Sequence, residues 1–254
     1  MTVKPIANNA LLAAGLVGLA AGAAVATLVA NRRAAAAAAA AAGQQAAAAS
    51  ASDRATTPSG GEVPAHIRDE VWSRNMTFFG NEGFALIRGS FVVVVGLGGV
   101  GSHAAHMLAR SGCGALRVMD FDQVSLSSLN RHAVATLKDV GRPKAEAVAR
   151  HLAGIVPWCA VDDHAAMFNG AHAAELLAPW RADGSAMAGR VPDFVVDCID
   201  DVNTKADLIA YCQAHNLPVI TACAAGAKAD PTRLHMVKAS TKSRTFVVEM
   251  RSSL

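Results

Sequence analysis

The sequence predicts an α/β fold in which a parallel sheet carries helices on both faces. Beyond residue 90, short apolar runs alternate with segments of helical periodicity, and such alternation favours a parallel sheet. One of these runs, Phe91–Val95, is wholly apolar and rich in β-branched residues. A strand buried on both faces has this composition, which favours a central place in the sheet.

The other predicted elements follow in order along the chain. Strands are predicted at Ala115–Asp120, Phe194–Cys198 and Leu217–Ala222, where apolar residues cluster. Helices are predicted at Ser102–Ser111, Lys144–Ile155 and Val202–His215. Strand and helix therefore alternate through most of the region after the first strand.

A glycine-rich turn joins the first strand to the first helix. Gly96, Gly98 and Gly101 fit the strand–G-x-G-x-x-G–helix pattern, in which glycines let the backbone approach a phosphate and the helix N-terminus favours an anion. Asp120 ends the next strand, where a carboxylate can accept hydrogen bonds from a ribose. These features predict a Rossmann-like nucleotide-binding domain, and they leave open which nucleotide binds.

Charged residues further along the chain narrow the choice of nucleotide. Arg131 and Lys144 could neutralise charge on a departing pyrophosphate, and Asp200 could hold the Mg²⁺ that bridges ATP phosphates. Taken singly, the two cations have a simpler interpretation as solvated charges, and Asp200 as a helix N-cap. Their joint order and spacing favour ATP-dependent chemistry over a nicotinamide-dependent oxidoreductase, which remains an alternative.

Together these motifs resemble the adenylating enzymes related to ubiquitin-activating enzymes and to the bacterial activators of the molybdopterin and thiamine pathways. Within that family, the sequence resembles most the tRNA threonylcarbamoyladenosine dehydratases, especially their eukaryotic branch. The resemblance extends from about Arg74 to Leu234. The segments that carry it are Arg74–Gly80, Arg110–Gly114, Val124–His132, Ala153–Cys159 and Lys228–Thr232.

The resemblance implies a set of site residues. The ATP-binding residues it implies are Arg74, Gly96, Gly98, Gly99, Gly101, Asp120, Asp122, Asn130, Arg131, Lys144 and Asp200. Arg131, Lys144 and Asp200 would be catalytic, and Asp200 would place Mg²⁺. Arg74 would reach into the partner subunit's site, which implies a homodimer.

The implied activity is ATP-dependent adenylation of the threonyl carboxylate of tRNA threonylcarbamoyladenosine, followed by dehydration to the cyclic form. A sulfur-relay protein is a further partner that the resemblance implies. One alternative is adenylation of the C-terminal glycine of a ubiquitin-like or sulfur-carrier protein, although the C-x-x-C pairs common in such enzymes are absent. Another is a catalytically inactive, truncated form that only binds nucleotide.

The first part of the chain has a different composition. After a tail of residues 1–9, residues 10–30 carry no charge and are long enough, at about 1.5 Å per residue, to cross a bilayer as a helix. Arg32 and Arg33 follow directly, which predicts a transmembrane helix with the bulk of the chain in the cytosol. The family resemblance implies the mitochondrial outer membrane. A cleaved targeting peptide and a soluble extension are the alternatives.

The remaining boundaries follow from composition and charge. Residues 31–65 are predicted to be an alanine-rich spacer, 66–237 the ATP-binding domain, and 238–254 an atypical, truncated tail. The basic side chains after Ala227 either contact a tRNA backbone or are merely solvated; they are Lys228, Arg233, Lys238, Lys242, Arg244 and Arg251. The net charge of +3 belongs entirely to the first 60 residues, so any nucleic-acid surface on the remainder must be a local patch. The five cysteines form no C-x-x-C pair, which speaks against a zinc knuckle.

Overall fold

The computed structural model describes residues 63–181, 185–223, 234–239 and 244–250. The predicted tail, the transmembrane helix at 10–30 and nearly all of the spacer lie outside these residues. The helices are α1 (Ala65–Val71), α2 (Ser73–Arg88), α3 (Gly101–Arg110), α4 (Lys144–Ile155), α5 (Ala173–Leu176) and α6 (Val202–Ala214). The strands are β1 (Phe91–Val95), β2 (Ala115–Met119), β3 (Ala160–His164), β4 (Phe194–Asp197), β5 (Val219–Ala222), β6 (Leu234–Lys238) and β7 (Thr245–Met250).

The strands form one sheet in the order β3-β2-β1-β4-β5-β7-β6. All neighbouring pairs are parallel except β6 and β7, which are antiparallel. The Rossmann-like α/β prediction is confirmed, and the predicted parallel sheet is extended by this one antiparallel pair. Only six residues, 239–244, join β6 to β7, and so short a connection permits an antiparallel hairpin but no parallel crossover.

Helices cover both faces of the sheet. On one face, Val92 and Val94 of β1 pack in a cluster with α3 and α4, which includes Leu108 and Leu152. On the other face, Phe91, Val93 and Val95 pack with α5 and α6. All five residues of β1 are buried. This double burial explains why the strand has no polar alternation in its sequence.

Several predicted elements match the structure closely. The bounds of β1 and α4 agree with the prediction, and three other elements end one residue earlier, at Met119, Asp197 and Ala214. The strands that the sequence did not reveal are β3, β6 and β7. β3 reads Ala-Val-Asp-Asp-His and is only partly buried at the end of the sheet, so it lacks an apolar run. Thr245–Met250, assigned in the prediction to a C-terminal tail, instead pairs with both β5 and β6.

A buried arginine fastens the outer part of the sheet. The Arg117 side chain in β2 is only 2% exposed, and its Nε donates to Asp162 of β3 over 2.8 Å. The side chain also donates to the carbonyl oxygens of Leu176, the last residue of α5, and of Ala178. A buried charge needs several partners to offset its lost hydration, and Arg117 has them here.

None of the helices within the described ranges has the length and hydropathy needed to cross a membrane.

Candidate nucleotide site

The glycine turn, Asp120 and Asp200 lie where the direction of chain winding reverses. β1 lies between β2 and β4, so the connections after β1 and β4 leave to opposite sides of the sheet. Ligands of open α/β sheets bind in the crevice outside the carboxyl ends of such strands. The glycine turn follows β1, Asp120 follows β2 and Asp200 follows β4, so all three reach this crevice.

The glycine turn is shaped by contacts within the protein as well as by space for a ligand. Gly96 has φ of +87°, and a side chain there would meet the Cys198 carbonyl oxygen at 2.8 Å. A side chain at Gly101 would collide with the Gly96 carbonyl group, whereas one at Gly98 would meet nothing within 4 Å. Gly96 and Gly101 are therefore required for packing, and the backbone at Gly98 is open to an incoming group.

Asp120 is bound directly to this turn. Its Oδ2 accepts a hydrogen bond from the Leu97 N–H over 2.6 Å, and its Oδ1 accepts one from the Asp122 N–H over 2.8 Å. Burial raises the pKa of Asp120 above its usual value, although these two N–H groups and Lys144 oppose the shift. Each carboxylate oxygen keeps a further lone pair, so Asp120 can still accept a hydrogen bond from a ribose hydroxyl.

Lys144 lies beside both aspartates. Its Nζ is 2.7 Å from Asp122 Oδ2 and 4.0 Å from Asp120 Oδ2, and only 9% of the lysine side chain is exposed. The backbone sets this position, because the Lys144 N–H donates to the Asp122 carbonyl oxygen over 2.9 Å. A polyphosphate at the glycine turn would compete with the exposed carboxylate of Asp122 for this ammonium group.

Arg131 and Asn130 lie on an exposed turn next to α3. Arg131 Nη1 donates to the Ser127 carbonyl oxygen over 3.0 Å and to Asn130 Oδ1 over 3.2 Å. The backbone of this turn is held at the start of α3, since the Ala133 N–H donates to Ser102 Oγ over 3.0 Å. Arg131 is thus placed near the glycine turn by α3, while its guanidinium makes no contact with Lys144.

Asp200 is exposed and precedes α6. The N-cap of α6 is Asp201, whose Oδ1 accepts from the Thr204 N–H over 2.8 Å, so the helix-cap alternative considered for Asp200 is wrong. Across the described ranges, no group of three or more histidine, cysteine or acidic side chains could hold a metal ion by itself. A single carboxylate still suits Mg²⁺ when substrate phosphates supply the other ligands.

A buried network that the sequence motifs do not reveal supports the turn that carries Asp200. Asp197, fully buried at the end of β4, accepts from Lys205 Nζ over 2.7 Å and from Thr221 Oγ1 over 2.5 Å. Its other oxygen accepts from the Ile199 N–H over 3.0 Å. The charged residue that ends β4 was the available sequence signal, but its partners lie 8 and 24 residues away.

Arg74 lies at the opposite end of α3 from the glycine turn. It is exposed in the first turn of α2, two residues beyond Trp72. A side chain added at Gly112, just past the last residue of α3, would lie 3.6 Å from the Trp72 ring. The ten residues of α3 span about 15 Å, so Arg74 is remote from the glycine turn of its own chain.

His132 follows Arg131 and is buried as a neutral ring. Its Nδ1 accepts from the N–H groups of Val134 and Ala135 over 3.3 and 3.0 Å, which places the proton of the neutral ring on Nε2. Burial, assisted by the charge of Lys144, lowers the pKa of His132 from 6.5 to about 4. Protonation of Nδ1 would also break both backbone hydrogen bonds.

Stability is therefore expected to depend on pH through His132. The unfolded chain takes up a proton on this ring near pH 6.5, and the folded chain only near pH 4. The contribution of the neutral His132 ring to the free energy of unfolding is therefore complete above pH 6.5 and declines as the pH falls below it. Between pH 7 and pH 5, the free energy of unfolding should fall by about 2 kcal/mol on this account. Denaturant titrations of wild type and His132→Asn, which keeps an acceptor, measure the difference. His172→Gln, at an exposed position, should retain the wild-type dependence.

The fold and this strand–glycine turn–helix arrangement define the class: Rossmann-like α/β proteins with a phosphate-binding type of turn. A sequence profile of the ThiF family matches residues 72–251. The chain belongs to the ThiF family, and the resemblance inferred from the sequence motifs is confirmed.

Individual relatives carry more specific names. The chain is 44% identical over 176 residues to tRNA threonylcarbamoyladenosine dehydratase 2 of Saccharomyces cerevisiae, which covers 67% of this chain and 37% of the yeast protein. It is 35% identical over 155 residues to the Escherichia coli molybdopterin-synthase adenylyltransferase, with 61% of this chain and 56% of that protein covered. The chain thus spans well under two thirds of the length of either relative.

A solved structure shares the fold. The Escherichia coli tRNA N6-threonylcarbamoyladenosine dehydratase in complex with ATP superposes with a TM-score of 0.64 at 28% identity. The superposition covers 76% of this chain and 86% of the bacterial chain.

Proposed function

We propose that this chain binds ATP at the crevice beyond β1, β2 and β4 and adenylates the threonyl carboxylate of tRNA threonylcarbamoyladenosine. The observation that carries the proposal is the placement of Lys144 between Asp120 and Asp122, with Asp120 hydrogen-bonded to the glycine turn. The names of the yeast relative and of the ATP-bound bacterial structure support the nucleotide and the tRNA substrate.

The proposed chemistry turns a poor electrophile into a reactive one. A carboxylate oxygen of the substrate attacks the α-phosphorus of ATP, the bond to the bridging oxygen breaks, and pyrophosphate departs. The substrate's own nitrogen then attacks the acyl carbon of the mixed anhydride, which closes the ring and releases AMP. The substrate loses one water overall, and ATP becomes AMP and pyrophosphate.

Each residue has a defined part in this proposal. The backbone at Gly98 and the start of α3 receive the phosphates, and Asp120 accepts from the ribose. Lys144 and Arg131 offset negative charge on the departing pyrophosphate. Asp200 would hold a Mg²⁺ that shields the phosphates, and its exposed carboxylate at the end of β4 suits that ion.

A reconstitution tests the substrate. The full chain is incubated with ATP, Mg²⁺ and total tRNA, and the tRNA nucleosides are analysed by mass spectrometry for loss of one water from threonylcarbamoyladenosine. A second incubation replaces tRNA with a small ubiquitin-like protein, which is the alternative favoured by the adenylyltransferase relative. AMP formed only in the second incubation would refute the tRNA substrate. ATP binding without AMP in either would favour the inactive form.

Asp200→Asn is expected to abolish AMP formation while leaving the fold intact. The substitution removes the charge that would hold Mg²⁺, and Asp200 is exposed, so little packing is lost. AMP release and the thermal midpoint are measured together. Asp201→Asn, which preserves an N-cap side chain at the neighbouring position, is the matched control and should stay active. Wild-type turnover by Asp200→Asn would refute the metal role.

The proposed assembly is a homodimer in which Arg74 acts on the partner subunit's site. Arg74 lies at the far end of α3 from the glycine turn of its own chain, and this separation supports the arrangement. A sulfur-relay protein is a further proposed partner, in keeping with the adenylyltransferase relative. Sedimentation of the chain measures whether it is a dimer. ATP turnover by Arg74→Ala separately tests the role of the arginine.

We further propose that residues 10–30 anchor the chain in a membrane, the mitochondrial outer membrane, with the catalytic domain in the cytosol. The uncharged 21-residue run followed by Arg32 and Arg33 supports this proposal. Carbonate extraction of membranes from cells that express the full chain, or the chain without residues 10–30, tests it. Release of the full chain by carbonate would contradict the anchor.

A further inference from the structure

One segment of the chain connects the elements that carry the proposed phosphate contacts. We call residues 131–142 the linking segment. It begins at Arg131 and ends two residues before Lys144, the first residue of α4. Its start is fastened to α3, the helix that follows the glycine turn: Arg131 O lies 3.2 Å from His103 Nε2, and the Ala133 N–H donates to Ser102 Oγ.

The far part of the linking segment is fastened to α4 by Asp139. Its side chain is only 1% exposed, and its Oδ2 accepts from His151 Nε2 over 2.8 Å, while Oδ1 pairs with the Arg150 guanidinium. Within the segment, Oδ2 also accepts from the N–H and the hydroxyl of Thr136, each over 2.8 Å. An aspartate that merely capped this turn would accept hydrogen bonds from Thr136 and from no other residue.

Burial of this carboxylate is costly unless donors surround it. Burial alone would raise the pKa of Asp139, but hydrogen bonds from His151 and Thr136 outweigh it, and the pKa lies below its usual value. The group is therefore charged at neutral pH, and its donors come from two different elements. Removing the charge weakens the attachment of the linking segment to α4 and leaves its local turn capped.

Asp139 is a carboxylate through which the segment that begins at Arg131 is bonded to α4, the helix that begins at Lys144. Lys144 lies six residues before Arg150, about 9 Å along the same helix, and Arg131 lies eight residues before Asp139 in the linking segment. Asp139 joins the linking segment to α4, and the contacts with Ser102 and His103 join the same segment to α3. A misplacement of about 1 Å can cost a hundredfold in a reaction.

We propose that Asp139, through His151 and Arg150, is a positioning residue that fixes the spacing of Arg131 and Lys144 for the phosphates of ATP. This inference rests on the proposed function. It assigns Asp139 no contact with the nucleotide. The adenosine part of ATP would lie against Asp120 and the glycine turn, which do not depend on Asp139.

The test compares ATP with adenosine as ligands of the full chain. Asp139→Asn keeps an acceptor for Thr136 but loses the charge. It is expected to weaken ATP binding by about tenfold or more and adenosine binding by less than about threefold. The control is Asp162→Asn, which breaks the buried pair with Arg117 away from the site and should leave the ratio of the two affinities unchanged.

A second pair of variants covers the case in which Asp139→Asn does not fold. His151 is 30% exposed, so its replacement is tolerated more readily. His151→Ala should weaken ATP binding in the same direction by a smaller factor, and His151→Gln, which retains a donor, should restore it to within about twofold.

The outcomes separate the two proposals. An equal loss of ATP and adenosine binding, or wild-type ATP binding in Asp139→Asn or in His151→Ala, would overturn the positioning role alone. A wild-type chain that binds adenosine no more weakly than ATP, or binds neither, would overturn the proposed function and this inference with it.

Discussion

Lys144→Met is expected to weaken ATP binding by roughly tenfold to a hundredfold, because a hydrogen bond to a charged group contributes about 1.5–3 kcal/mol. The Lys144 side chain is 9% exposed, and its ammonium group already faces two carboxylates beside the glycine turn. Its loss leaves Asp120 and Asp122 with no cation between them and the phosphates, so repulsion adds to the lost attraction.

Calorimetric titration of the full chain with ATP and with adenosine measures this effect. Adenosine should bind within a few-fold of wild type, because Asp120 keeps its hydrogen bonds to Leu97 and Asp122. Lys138→Met is the matched control: it removes the same charge from an exposed turn of the linking segment and should bind ATP as wild type does. Tight ATP binding by Lys144→Met would place the phosphates elsewhere.

Lys205→Met is expected to lower the free energy of unfolding by about 3–5 kcal/mol. The substitution leaves the buried carboxylate of Asp197 without a positively charged partner. Asp197 is fully buried, and Lys205 Nζ also donates to Thr221 Oγ1 and to the Ala222 carbonyl oxygen. The hydrogen bonds from Thr221 and Ile199 remain but carry no positive charge to balance the acid.

Urea unfolding at pH 7 checks this expectation. Arg142→Met breaks a pair with Glu146 in which both side chains are nearly half exposed, and it should cost no more than about 0.5 kcal/mol. Adding Asp197→Asn to Lys205→Met should recover part of the loss, because the uncompensated charge disappears. A loss below about 1 kcal/mol in Lys205→Met would contradict the need of the buried Asp197 side chain for this positive partner.

Parts of the fold could be predicted because local sequence determines them. Phe91–Val95 is apolar throughout since both its faces are buried, and Gly96 and Gly101 occupy positions where the backbone admits no side chain. β3 could not be found in this way. It lies at the end of the sheet, and two of its five residues are aspartates.

The same distinction between local sequence signals and long-range contacts applies to the candidate site. Asp120, Lys144 and the glycine turn belong to motifs that are readable along the chain, and the structure brings them into contact. Asp139, Asp197 and Lys205 act through partners on other elements, and no spacing within the sequence reports those partners. The remoteness of Arg74 from its own site likewise depends on the packing of Trp72 against the far end of α3.

The place of β7 in the sheet bears on how the unfinished protein behaves. β5 is buried along its whole length, and β7 covers the side that β4 leaves open, with β6 attached to β7 in the described sheet. Until Thr245–Met250 has been synthesised and has paired, Val219–Ala222 presents a row of unpaired backbone groups on an apolar strand. Such a row invites pairing with other chains, so the nascent protein depends on its last described strand for protection against self-association.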